Sequence, residues 1–207
     1  MTAINALRLE RLAIGDLDEV SLEVAPGEIV CLSGASGSGK SRLLRAVADL
    51  EPHGGEVWLA GRAQSMLPAH RWRRRVMLVP AESLWWSDRV GEHFPDGIED
   101  DDLDALGFDR QVLSWQAGRL SSGEKQRLAL LRGLSRQPSA LLLDEPTANL
   151  DELMTRRVED WLMVKVRNAG WPVLWVAHDK AQIARVANRH LHIDDRRLLT
   201  QEVATWT

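Results

Sequence analysis

Two hydrophobic rhythms divide the chain. Leu7, Leu9 and Leu12 fall between Arg8, Glu10 and Arg11, and Val20, Leu22 and Val24 alternate with Ser21 and Glu23. Both read as strands with one face on a core. Ala25-Pro26-Gly27 is a turn signal, so these two strands and the next are expected to form an antiparallel meander. Four runs are instead continuously apolar: Ile29 to Leu32, Val76 to Val79, Ala140 to Leu143 and Val173 to Val176. Runs of that length without alternation predict strands buried on both faces. A further strand, Glu56 to Leu59, follows the turn at Pro52-His53-Gly54-Gly55.

Helical spacing occupies the intervals. Leu43, Leu44, Val47 and Leu50 predict a helix from Ser41 to Leu50. Glu124 to Leu134 predicts a second, opened by Ser121-Ser122-Gly123 and ended before Pro138. Met154, Val158, Trp161 and Leu162 form one stripe of a helix from Glu152 to about Ala169, stopped by Gly170. Ala181 to Ala187 predicts a short helix, and His190 to Ile193 with Arg196 to Leu199 a terminal hairpin. Between Ala81 and Arg119 the pattern breaks into short acidic pieces, which suggests an inserted subdomain. The expected organisation is one α/β domain over 1–207, with 1–80 and 135–207 as the core and 81–134 as a helical segment.

Composition narrows the function classes. A chain of 207 residues has room for one α/β domain with a full core. Its 26 basic and 30 acidic residues are mixed, with net charge −4, which argues against wholesale nucleic-acid binding. The basic run Arg71 to Arg75, with Trp72 inside it, reads as a solvated face. No apolar run approaches the roughly 20 residues that cross a bilayer, and the N-terminus shows no signal pattern, so a cytoplasmic location is expected. The one cysteine, Cys31, lies in an apolar run and is expected to pack in the core. Of nine tryptophans, Trp58, Trp161 and Trp175 are expected at core positions. Trp85 and Trp86 have two readings, packing inside the 81–134 segment or forming a docking surface.

The candidate chemistry begins at Gly34-Ala35-Ser36-Gly37-Ser38-Gly39-Lys40-Ser41, which fits G-x-x-x-x-G-K-[ST] at every fixed position. The motif needs a strand before it and a helix after it, and the hydrophobic pattern supplies both. Its glycines let backbone N–H groups curl around phosphate oxygens, and the helix start adds partial positive charge. Lys40 is suited to bridge the outer phosphates, and the Ser41 hydroxyl to ligate Mg2+. Asp144 and Glu145 follow an apolar strand, as His178 does, and acids at the carboxyl end of a parallel strand lie beside such a loop. Ser121, Ser122 and Gly123, at a helix start, are a second candidate anion site.

In this order the motifs resemble the ATP-binding cassette ATPases over nearly the whole chain. Leu120-Ser121-Ser122-Gly123-Glu124 resembles the family signature, Leu141 to Glu145 its Walker B strand, Ala148 to Asp151 its D-loop, and His178 its switch histidine. The resemblance implies a phosphate-loop NTPase core with an N-terminal antiparallel β subdomain and a short inserted helical subdomain. It implies ATP and Mg2+ as ligands. Asp144 is then a metal ligand, with Glu145 the general base and His178 at the γ-phosphate. It also implies a head-to-tail dimer formed on ATP binding, in which the signature and Asp151 of one chain complete the site of the other.

Two departures change what the resemblance implies. Ala81-Glu82 stands where the family usually has a glutamine, so Glu82 is expected to take its place toward metal-bound water. Ile14 is the nearest candidate for the adenine-stacking residue, and an aliphatic side chain lacks the aromatic term of roughly 1–3 kcal/mol per base. Selectivity is therefore expected to be relaxed, with GTP competing within about tenfold of ATP.

The resemblance implies a transporter subunit at the cytoplasmic face of the inner membrane, working with a separate permease. Soluble ATP-driven machines of DNA repair, the ribosome or iron-sulfur assembly are the alternative class. Such relatives typically carry coiled-coil insertions or paired cassettes, which this chain lacks. A closer likeness to iron-export-type subunits is of low specificity, and the direction of transport stays open.

Overall fold

The continuous apolar runs become neighbours in one sheet. The computed structural model describes residues 5–94 and 97–201. It begins with strands β1 (Leu7–Ala13), β2 (Val20–Val24) and β3 (Ile29–Gly34), then helix α1 (Lys40–Val47), β4 (Gly54–Leu59) and β5 (Arg62–Ala63). Helix α2 (Ala69–Arg75) leads into β6 (Val76–Val79), and α3 (Asp100–Ala105) and α4 (Ser122–Ser135) precede β7 (Ala140–Asp144). Then come α5 (Glu152–Ala169), β8 (Val173–Val176), α6 (Lys180–Val186), β9 (Arg189–Asp194) and β10 (Arg197–Gln201).

The large sheet has the order β10-β9-β3-β8-β7-β6 and is parallel except for β10, which pairs antiparallel with β9. The smaller sheet, β2-β1-β4-β5, is antiparallel. The expected meander is therefore corrected at its third strand. β3 does not fold back on β2 but lies parallel between β8 and β9, while β1 takes β4 on its other edge. Every residue of β3 is buried. Such a strand needs cover on both faces, which a parallel sheet between helical layers gives.

That cover is provided by two apolar layers. Val30, Leu32, Leu142, Leu174 and Val176 face α1, through Leu43, Leu44 and Val47, and the inner residues of the smaller sheet. Cys31, Leu141, Leu143 and Trp175 face α4, α5 and α6. The short turns and α3 between Val90 and Val112 add Val90, Phe94, Leu103 and Phe108 to this second layer. Burial, reinforced by the negative charge of Glu159, pushes the Cys31 thiol up to about 12, so it packs as a small apolar group.

Three local expectations are revised. Helix α1 ends at Val47, and Leu50 lies beyond it and is exposed. The basic run 71–75 keeps Arg71, Arg73 and Arg74 exposed, as a solvated face requires, but Trp72 within it is fully buried on a short helix, with Nε1 donating to Val47 O at 2.9 Å. Trp58 is half-buried rather than core, donating Nε1–H to Glu10 Oε2 at 2.9 Å with Arg8 over its ring. Strand alternation explains this, because Val57 and Leu59 take the inward face and leave Trp58 the other.

Candidate nucleotide site

Register brings the chemistry to one edge of the sheet. Leu32 of β3 pairs with Val176 of β8, and Val176 with Asp144 of β7, so the three stand level at the carboxyl ends of their strands. Immediately beyond them the chain delivers Gly34, His178 and Glu145 to the same edge, where open α/β sheets bind ligands.

The phosphate loop is built to receive an anion. Gly39 is the N-cap of α1, in left-handed backbone at φ 99°, and a Cβ there would stand 3.0 Å from Leu17 Cδ1. No side chain caps the helix and its first turn holds no acid. The first hydrogen bond back to the cap is Leu43 N–H to Gly39 O at 2.8 Å, leaving the N–H groups of Lys40, Ser41 and Arg42 without an intrahelical acceptor. Lys40 is 6% exposed and spans the loop, donating Nζ–H to Gly34 O at 3.0 Å and Ala35 O at 2.9 Å. Desolvation lowers its pKa, opposed by the charges of Glu145 and Asp144. Ala35, Ser36 and Gly37 form the exposed crest of the loop, while the Ser38 hydroxyl is buried without a partner.

The acids take up distinct positions. Asp144 is 7% exposed, and its buried Oδ1 has no hydrogen-bond partner. An unpaired buried oxygen is the donor that a hard cation such as Mg2+ requires, so Asp144 fits the metal role, with Ser41 on the facing loop. Glu145 has a left-handed backbone at φ 49°, unusual for a non-glycine residue, and its N–H is tied to Val176 O at 3.2 Å. That conformation presents Glu145 Oε1 to His178, whose Nε2–H donates to it at 2.8 Å. An anchored carboxylate beside an imidazole can take and hold a proton.

A cleft of about 480 Å³ runs from Glu145 and His178 to Arg185. Behind two of its lining residues, the Glu159 carboxylate, 1% exposed, accepts from Arg185 Nε at 2.8 Å, Arg185 Nη2 at 2.9 Å and Gln182 Nε2 at 2.9 Å. Gln182 also donates to Thr147 Oγ1 at 2.7 Å, which fastens α6 to the segment just after Glu145. Sequence reasoning missed this network because its members are scattered over α5, α6 and the segment after β7. Removing the cation strands a buried carboxylate, so Arg185→Ala is expected to destabilise the fold by about 3 kcal/mol, read by urea denaturation. A loss below about 0.5 kcal/mol, the scale of a surface substitution, would contradict the assignment.

The remaining sequence candidates are placed as follows. Ser121 is the N-cap of α4 in a capping box with Glu124, whose Oε2 accepts Ser121 N–H at 2.8 Å. The pattern S-x-x-E was visible in the sequence and accounts for the acid at 124. With Glu124 N–H capped and Lys125 N–H bonded to Ser121 O, the N–H groups of Ser122 and Gly123 lack helix acceptors. Among the described residues no hydrogen bond or ion pair joins Ser121, Ser122 or Gly123 to the phosphate loop. Asp151 caps α5, accepting Met154 N–H at 2.8 Å. Glu82 is exposed just beyond β6 and is not hydrogen-bonded to Asp144 or Ser41. Ile14 is a correction: at 4% exposure it packs in the core with Leu17 and offers no surface to a base.

Leu84 and Trp86 are exposed, at 81% and 68%, while Trp85 packs against the core. The Arg132 guanidinium from α4 lies 4.8 Å from the Trp85 ring and 4.7 Å from that of Trp86. His93 meets both rings edge-on and is fully buried, and desolvation lowers its pKa. The two readings of this pair thus divide, one ring inward and one outward.

A strand, an uncapped glycine loop and level acids on a parallel sheet define a phosphate-loop nucleotide-binding α/β domain. The chain belongs to the ABC transporter family, whose profile matches residues 17–148. It is 37% identical over 193 residues to the aliphatic sulfonates import ATP-binding protein SsuB of Cupriavidus necator, covering 90% of this chain and 63% of that protein. It is 36% identical over 194 residues to the Fe(3+) ions import ATP-binding protein FbpC of Streptomyces coelicolor, covering 88% of this chain and 56% of that one. The chain therefore spans less than two thirds of the length of these relatives. The structure of a bacterial Atm1-family ABC exporter with ATP bound superposes with TM-score 0.83 at 24% identity, over 96% of this chain and 39% of that chain, a likeness of fold.

Proposed function

We propose that the protein binds and hydrolyses ATP in a dimer of such chains and drives solute transport through a separate membrane permease. The observation that carries this is the shared sheet edge, where the uncapped phosphate loop, the unpaired Asp144 oxygen and the Glu145–His178 pair converge. Lys40 and the free N–H groups of α1 hold the phosphates. Ser41 and Asp144 would hold Mg2+, with Glu82 in the place of the usual glutamine, and the metal would supply charge neutralisation on the phosphate oxygens. Glu145 accepts the proton of the attacking water, and His178 keeps the carboxylate oriented and meets the γ-phosphate.

Ser122 and Gly123 carry free N–H groups that no group of their own phosphate loop reaches, which supports their use on a nucleotide held by a second chain. The dimer is head-to-tail, each site completed by the other chain's signature and Asp151. Segment 81–134 works as a helical unit within the single domain, and the outward Leu84 and Trp86 form its docking surface for the permease. No helix among the described residues is long and apolar enough to cross a membrane. The proposed place of action is the cytoplasmic face of the inner membrane, against the permease. The relatives SsuB and FbpC are import ATP-binding proteins, which favours import over the export-type likeness, and their cargoes differ, as they do when the permease holds specificity.

The test is a pull-down with Glu145→Gln, loaded with ATP and Mg2+, from solubilised membranes and from soluble extract. Recovery of a multi-spanning membrane protein is expected. Recovery of soluble partners, ribosomes or nucleic acid alone would move the assignment to a soluble ATP-driven machine.

A further inference from the structure

A nucleotide held by its phosphates still needs a surface for its base, and buried Ile14 does not provide one. The next side chain after Ser41 on the first turn of α1 is Arg42, half exposed at 49%. Its Nε and Nη2 both lie 2.7 Å from Glu51 Oε1, so one edge of the guanidinium is clamped. The plane rests on Gly15, immediately after Ile14. A Cβ built at Gly15 would stand 2.2 Å from Arg42 Nη1, 2.8 Å from Cζ and 3.3 Å from Nη2. No other residue type fits under the plane without displacing it. A clamped, backed and half-exposed guanidinium is flat and preorganised, and arginine planes stack on bases.

We infer that the Arg42 guanidinium, held by Glu51 over Gly15, is the stacking surface for the purine base of the bound nucleoside triphosphate. The inference rests on the ATP-site reading above. A base is separated from its α-phosphate by one ribose, and Arg42 follows Ser41 by one residue, so its long side chain reaches from the phosphates toward Gly15. Stacking on a plane meets the face of any purine and reads none of the edge groups that distinguish adenine from guanine. The relaxed selectivity expected from the sequence is retained with a different residue responsible.

The experiment measures affinity for ATP, GTP and inorganic tripolyphosphate by titration calorimetry, on wild type, Arg42→Ala, Arg42→Lys and Gly15→Ala, each checked for folding by thermal melting. ATP and GTP are expected within about tenfold of each other on wild type. Arg42→Ala should weaken both by about tenfold while tripolyphosphate changes by less than about twofold. Arg42→Lys, which keeps the charge but not the plane, should lose as much as the alanine variant. Gly15→Ala, which pushes the guanidinium aside while leaving Arg42 in place, should lose nucleotide affinity in the same direction.

Equal loss for tripolyphosphate, with rescue by lysine, would make Arg42 a phosphate contact and overturn the inference, as would unchanged nucleotide affinity in Arg42→Ala. A wild-type preference for ATP above about a hundredfold would also overturn it. Tripolyphosphate and nucleotides both failing to bind wild type would sink the ATP-site reading itself.

Discussion

Glu145→Gln is expected to lower ATP turnover by about a thousandfold, within the 10²–10⁴ range of a positioned acid or base, and to leave ATP affinity within about threefold of wild type. Glutamine preserves the shape of the side chain and its hydrogen-bonding reach to His178, which lies 2.8 Å from the carboxylate. What it loses is the ability to accept a proton from water. The backbone that presents the side chain, at φ 49° with its N–H on Val176 O, is unchanged by the substitution. The defect therefore falls on turnover and spares binding, the signature of an interaction made in the transition state. In the dimer model the variant also accumulates the ATP-bound dimer. Single-turnover kinetics and sedimentation in ATP and Mg2+ check both parts. A loss of only a few-fold in turnover would remove Glu145 as the base.

Lys40→Ala is expected to weaken ATP binding by about a hundredfold, close to 3 kcal/mol, and to abolish ATP-dependent dimerisation. Lys40 is nearly buried, and its ammonium is already turned toward the crest of the loop through Gly34 O and Ala35 O. It is thus preorganised for phosphate. Desolvation, which lowers its pKa, also strengthens its pull on an anion that displaces water. Alanine removes this charge and leaves two carbonyls without a donor, so a modest stability loss of about 1–2 kcal/mol accompanies the binding defect. The two effects separate by measuring nucleotide affinity well below the melting temperature. ATP affinity within about threefold of wild type would refute the role, and a dimer that persists without nucleotide would contradict the proposed ATP-dependent head-to-tail dimer.

The legible part of the site was the part whose chemistry is local. The phosphate loop carries its own instructions, since glycine spacing, an uncapped helix start and a lysine act over eight consecutive residues. Ser121 and Glu124 are local in the same sense, a capping box that S-x-x-E announces. The acids could be assigned to a sheet edge because they end an apolar strand. Ile14 could not be read correctly, because whether an isoleucine faces a ligand or a core depends on what packs above it. Arg71, Arg73 and Arg74 of the run 71–75 are exposed, as a solvated face requires, but the burial of Trp72 among them escaped for the same reason, its indole finding Val47.

The sequence alone determined the elements and the class of chemistry. Unbroken apolar runs demand burial on two faces, 3.6-residue stripes demand helices, and a glycine loop between them binds phosphate. Tertiary structure decided which partners those elements met. It placed β3 between β8 and β9 instead of beside β2, joined Glu145 to His178 across 33 residues, laid Arg42 over Gly15, and turned Trp86 outward while Trp85 packed inward. The physical reason is common to all four. Periodicity and motif spacing are short-range quantities, whereas strand order, side-chain pairing and exposure follow from packing distant segments so that every apolar face is covered and buried polar groups find partners.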